Sequence, residues 1–186
     1  MRTMTYGSTL TEHLPDVFHD EWAGEMVRYL STRQELLIGI VAVLFLLSVL
    51  GTKKQNRILL ALYGAGILYL TLLSRAPGTR RISLTPFWSY RLLPGSLYFQ
   101  RQVMNNILLF IPVGIFLYRL RPKSSTFYLP FLVSLGVEVL QLLTGRGLFE
   151  IDDLISNTLG GLIGCAAMFL WEAALRKKRG IRKTGI

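Results

Sequence analysis

Five stretches of this chain are too long and too apolar for the surface of a water-soluble protein, and they decide most of what it can fold into. They run over Leu36–Gly51, Ile58–Leu73, Val103–Tyr118, Phe127–Leu143 and Leu154–Trp171. A helix needs about 20 apolar residues to cross roughly 30 Å of hydrocarbon, so each run spans once its helix extends into the flanks. Period-2 alternation over some ten residues is absent, which sets a β-barrel aside. Composition agrees: 51% of residues are hydrophobic and only 17% charged, against about 25% charged in soluble domains. The expected architecture is all-α, a polytopic membrane helix bundle of about five transmembrane helices plus an N-terminal amphipathic helix.

The amphipathic helix is read from the first 35 residues, which hold six of the eleven acids. Pro15 suits a first helical turn, and Phe18, Trp22, Met26 and Leu30 recur every four positions while Asp16, Asp20 and Glu21 lie off that stripe. Such a helix lies at the membrane surface or packs on the bundle. His13 and His19, six residues apart, share no helical face and read as surface histidines rather than metal ligands. Cys165 is the single cysteine, so no intramolecular disulfide can form. The expected division is an amphipathic segment over 1–35, a transmembrane domain over 36–175 and a basic tail over 176–186.

The net charge of +10 does not imply nucleic-acid binding, because the basic residues sit between apolar runs rather than on one face. Their placement bears on orientation instead. With the N-terminus outside, inner segments carry twelve Lys and Arg against nine in outer ones, and the densest cluster, RKKRGIRK, follows the last run. The N-terminus is therefore expected outside and the C-terminus in the cytoplasm.

Between Leu36 and Val137 there is no Asp or Glu; then come Glu138, Glu150, Asp152 and Asp153, with Arg146 among them. A carboxylate near the bilayer centre costs about 2.5–3.5 kcal/mol on insertion scales, so Glu138 demands a partner or a proton. Gln141 follows at i+3 on the same face, and the candidate partners for Glu138 are Arg146 and Asn106. Arg146 lies between Gly145 and Gly147 in a short turn, where a guanidinium can grip carboxylate or phosphate. Asp152 and Asp153 suit the start of the last helix, and one would suffice there. Asp153, Asn157, Gly160 or Gly161, and Gly164 make one stripe, polar above and small below. The GxxxG pair within it allows close helix approach, and the neighbour expected there is the helix carrying Glu138. Pro112 and Gly114 predict a kink in the third run. The connection from Ser74 to Gln102 interleaves Arg80, Arg81 and Arg91 with Phe87, Trp88, Tyr90, Tyr98 and Phe99. That composition suits the headgroup layer, as an interfacial anchor or as a lid over an anionic lipid head. If loops alternate sides, this segment shares one side with Asn106, Gln141, Arg146, Asp152 and Asn157.

Taken together, LTPF (Leu84–Phe87), NNILLFIPVG (Asn105–Gly114), Glu138 with Gln141, Arg146, and IDDLISNTLGGLIG (Ile151–Gly164) resemble the VanZ-like family, over roughly Arg75 to Leu170. The resemblance implies a small multi-pass protein of Gram-positive-type cell envelopes. The family's founding member is linked to low-level resistance to teicoplanin, a lipoglycopeptide that binds cell-wall precursors. The first reading is therefore a non-catalytic envelope protein that binds an anionic membrane lipid or lipid-linked precursor, without cofactor or metal. Arg80, Arg81 and Arg146 would meet phosphates, and Asp152, Asp153 and Asn157 sugar or peptide groups. The alternatives are an enzyme using Glu138, Asp152 and Asp153 on such a lipid, and a lipid transporter or flippase. No nucleophile signature supports the enzyme and no internal repeat the transporter.

Overall fold

The computed structural model describes residues 34–74, 76–78, 80–92 and 95–184, with side chains described as far as Lys178. The expected amphipathic helix and both histidines lie outside these residues. The five apolar runs become five helices. They are α1 (Gln34–Leu50), α2 (Lys53–Leu68), α4 (Leu97–Leu120), α5 (Leu129–Thr144) and α6 (Ile151–Thr184). A four-residue helix, α3 (Trp88–Arg91), stands in the connection before α4. α2 with the turn after it, α4, α5 with the turn before it, and α6 are each long and apolar enough to cross a membrane. α1 is a shorter apolar helix, about 25 Å over its described length. The chain is a membrane protein with an all-α bundle.

α4 is the hub. Of its most apolar window 44% is buried, against 17% for α2, which leaves most of α2 to lipid. One side of α4 meets α2 and α5 through Ile67, Phe110, Val113 and Val137. The other meets α6 through Ile115, Tyr118, Cys165 and Met168, with Phe45 and Val49 of α1 against them. Pro112 lies fully buried inside α4, whose helical assignment runs unbroken from Leu97 to Leu120.

α4 and α6 run side by side in the same direction, closely enough that backbone touches backbone. A Cβ on Gly160 would stand 2.1 Å from the Ile107 carbonyl oxygen, and one on Gly164 2.0 Å from that of Ile111. Gly114 answers from α4, where a Cβ would stand 1.9 Å from the Gly161 oxygen. Without a hydrophobic force between helices in lipid, such small-residue contacts supply the dispersion that holds them. The small stripe of α6 thus packs on the helix carrying Asn106. The helix carrying Glu138, expected from the sequence, contributes Pro130, which lies against Gly161.

At the end of the bundle near the α1–α2 turn, polar side chains close the helix ends. Thr52 and Gln55 form a reciprocal cap at the start of α2, which satisfies free N–H groups there. The buried Asn56 amide donates to the carbonyls of Ser48 (3.1 Å) and Thr52 (3.0 Å). Arg119 also donates to Ser48 O (3.2 Å) and pairs with Glu172 at 3.4 Å.

Because the α4–α6 contact has no room for a side chain, Gly164→Val should destabilise the bundle by about 1–3 kcal/mol. A Cβ on Gly136 of α5 would have nothing within 4 Å, so Gly136→Ala should be neutral or stabilising by about 0.5–1 kcal/mol. Thermal unfolding of the purified protein in detergent compares the two.

Candidate functional site

The site gathers where α4 and α6 begin and α2 and α5 end. α5 stops at Gly145, in the left-handed region at φ 64°. The Arg146 N–H returns to Gln141 O (3.1 Å) and the Gly145 N–H to Leu142 O (3.3 Å), the paired bonds of a Schellman stop. Gly145 is required twice over, since a Cβ there would also press on Gly78 O at 3.0 Å. The Gly78 N–H in turn donates to Gly145 O (2.7 Å). This contact lays residues 76–78 along the α5–α6 turn, and β1 (Arg81–Ser83) pairs in parallel with β2 (Leu148–Glu150) beyond it. Arg81 stands opposite Leu148 and Ser83 opposite Glu150.

Between these strips lies an open cleft of about 330 Å³, walled by Ala76, Gly78 and Arg81 on one side and residues 145–148 on the other. Arg81 and Arg146 both line it, and Arg80 approaches Gly145 beside it. Arg146 Nη1 donates to Leu73 O (3.2 Å). Leu73 ends a π-helical turn, Tyr69–Leu73, that closes α2. Thr71 O in that turn accepts from Gln141 Nε2 at 3.5 Å. The π turn thus offers carbonyls to two site residues from a third helix.

Glu138 and Gln141, one turn apart on α5, are 1% and 3% exposed. Glu138 Oε2 accepts from the Glu150 N–H (3.1 Å), joining α5 to β2. Asn106, the other candidate partner for Glu138, instead donates to Asp153 Oδ1 at 2.8 Å and joins α4 to α6. Asn157 follows one turn along α6, 5% exposed, its Oδ1 without a partner.

Asp152 has a different task. It is 1% exposed, and its Oδ1 accepts from the Phe87 N–H (2.6 Å). Its Oδ2 accepts from the N–H and hydroxyl of Ser89 (2.9 and 2.6 Å). Phe87 precedes α3 with φ 61°, ψ 20°, a left-handed conformation that costs a non-glycine residue about 1–2 kcal/mol. Three bonds to one carboxylate offset that cost. Ser156 donates to Asp152 O (2.8 Å), so its 2.8 Å contact with Tyr90 is one in which the phenol donates. Burial above all, reinforced by Asp152 and Asp153, pushes the Tyr90 phenol above its usual value. It therefore keeps its proton throughout the neutral range. The adjacent acids have divided roles: Asp152 holds the aromatic segment and Asp153 holds α4.

The structure thus brings the sequence candidates into neighbouring groups. Arg81 and Arg146 line the cleft with Arg80 beside it, Gln141 is buried behind Gly147, Glu138 ties α5 to β2, and Asn106, Asp153 and Asn157 occupy the α4–α6 face. Sequence reasoning noted Glu150 among the acids without giving it a role, and passed over Ser89, Ser156 and the Thr71 and Leu73 carbonyls. Their roles depend on a strand pairing and a π turn with no local signature. Among the described residues, no group of three or more His, Cys, Asp or Glu comes together as a metal site.

The family model described as VanZ/LLP1 matches residues 59–172, more than half of the chain. The match reaches back over α2, beyond the stretch that carries the motifs. Protein VanZ of Enterococcus faecium is 29% identical over 139 residues, covering 68% of this chain and 81% of that protein. No solved structure gives a significant match.

Removing the Asp152 carboxylate should free the aromatic segment while leaving the helices in place. Asp152→Ala is expected to cost about 3 kcal/mol, since bonds to a charged acceptor are lost and Ser89 is left buried. Amide exchange at residues 87–90 should accelerate about a hundredfold, and trypsin should cut faster after Arg91. Unchanged exchange would show that the carboxylate does not hold the segment.

Proposed function

We propose a function from the premise that this chain belongs to the VanZ/LLP1 family: it is a cell-envelope membrane protein that binds the phosphate of an anionic lipid or lipid-linked cell-wall precursor. The observation that carries the reading is the cleft with Arg81 and Arg146 on facing walls and glycines between them. Arginine forks match phosphate oxygens with paired N–H bonds. The glycines keep the walls low, so a headgroup can approach the backbone. The bond to Leu73 O holds the Arg146 side chain toward α2.

The position at the ends of membrane-crossing helices supports the same reading. Exposed Ile82, Leu84, Phe87 and Leu92 surround the cleft segment, a composition suited to the hydrocarbon boundary. With the N-terminus outside and the C-terminus cytoplasmic, the cleft opens at the outer leaflet, where cell-wall precursors are displayed. Lowered susceptibility to lipoglycopeptides such as teicoplanin, expected from the resemblance, would follow from altered access to that precursor. Chemistry on the lipid is not needed for this effect.

Native mass spectrometry of the purified protein should show an anionic lipid retained. Arg81→Gln and Arg146→Gln should each weaken it about tenfold, equivalent to about 1.4 kcal/mol, and more so at low salt. In the producing cell, deletion should raise teicoplanin susceptibility. No retained lipid together with unaltered susceptibility would end this reading.

A further inference from the structure

The end of the bundle opposite the cleft is strongly cationic and lacks the anions to match. Lys53, Lys54 and Arg57 at the start of α2, Arg121 and Lys123 after α4, and residues 176–178 of α6 are all exposed there. Among the described residues, Glu172 is the one acid at this end, and Arg119 already pairs with it at 3.4 Å. The cleft end is balanced instead, its arginines accompanied by Glu138, Glu150, Asp152 and Asp153. α2 also starts against its own dipole. The positive end of a helix favours carboxylates in the first turn, and α2 has none there. Lys53 and Lys54 occupy its first two positions, with Arg57 one turn on. The Thr52–Gln55 cap satisfies backbone donors and supplies no charge. An anion is the missing counterpart.

Beside these cations a groove of about 340 Å³ opens between α1 and α2, lined by Leu47, Leu50, Gly51, Gln55, Ile58 and Leu59. Apart from Gln55, nothing in that lining is polar in its side chain. Leu50 is 82% exposed, Ile58 51% and Leu47 45%, so the groove faces outward. A Cβ on Gly51 would stand 2.6 Å from Leu47 O, so no side chain can fill the groove from the turn. Gln55 is held at the rim, where its Oε1 accepts the Thr52 N–H at 2.8 Å. Lys54 precedes Gln55 and lies one turn before Ile58 on the same face of α2, about 6 Å along the axis. A lysine stem can lie along the apolar wall and leave its ammonium at headgroup depth.

We infer that the α1–α2 groove is a second lipid site, which seats an acyl chain of an anionic phospholipid while Lys54, with Lys53 and Arg57 beside it, holds the phosphate. Charge chooses the occupant. A zwitterionic lipid brings its own ammonium to the same cluster, and a soluble anion leaves the groove empty. The site is independent of the arginine cleft, which lies at the other end of α2 and its closing turn, about 30 Å away.

The test uses the full chain in detergent, carrying Arg81→Gln and Arg146→Gln to silence the cleft. If the cleft binds nothing, this background changes nothing, so the two readings fail separately. Native mass spectrometry compares phosphatidylglycerol with phosphatidylcholine of identical acyl chains. The protein should retain phosphatidylglycerol about tenfold more tightly. Lys53→Gln, Lys54→Gln and Arg57→Gln together should abolish that preference and leave the weaker phosphatidylcholine binding unchanged, which a folding defect would not do. Ile58→Trp fills the groove with every charge in place, and it should weaken phosphatidylglycerol about fivefold. Equal retention of the two lipids at the outset overturns the inference, as does a preference that survives the triple substitution. Undiminished phosphatidylglycerol binding in Ile58→Trp also overturns it, because a basic surface that attracts lipid without a seat would behave so.

Discussion

The contact between α4 and α6 is the constraint on which the other features depend. Two glycines of α6 and one of α4 bring the helices to backbone contact, and that proximity sets Asn106 against Asp153. Were the helices held apart by ordinary side chains, the amide could not reach the carboxylate. Asp152 would also lose its fixed position beneath the aromatic segment. The glycine stripe therefore locates polar groups it does not touch. Fully buried Ile115, Cys165 and Met168 continue the same seam.

A second constraint is the turn at Gly145, whose left-handed backbone and close approach to Gly78 admit no side chain. It ends α5, directs Arg146 back toward α2 and leads into β2, the edge with which β1 pairs. Asp152 secures the far end of the same connection. Between these two fastenings the arginines are presented on a frame built from backbone hydrogen bonds, which a surface loop of like composition would lack.

Much of the fold was legible because lipid enforces long apolar helices, and the five runs needed only their lengths to be seen. The inward faces of Glu138 and Gln141 followed from their spacing and the cost of exposing them. Partner choice was not legible. The small stripe of α6 could have packed on either neighbour, and Asn106 could have met either acid, because periodicity gives a face without naming what it meets. The Asp152–Phe87 bond joins residues 65 positions apart and depends on a left-handed phenylalanine that no local pattern announces. The adjacent acids bond to two different elements, Asp152 to the aromatic segment and Asp153 to α4, a division that their adjacency does not announce.

The parallel course of α4 and α6 also bears on how the chain is made. Two helices pointing the same way must have a third between them, so α4 enters the membrane well before its chief partner exists. Until then Asn106 has no Asp153 to meet, and the groove at Gly114 that receives α6 lies open to lipid or to a neighbouring chain. Completion of α6 closes that interval. α6 is thus the keystone, and a nascent chain halted after α5 would hold an unfinished seam along its central helix.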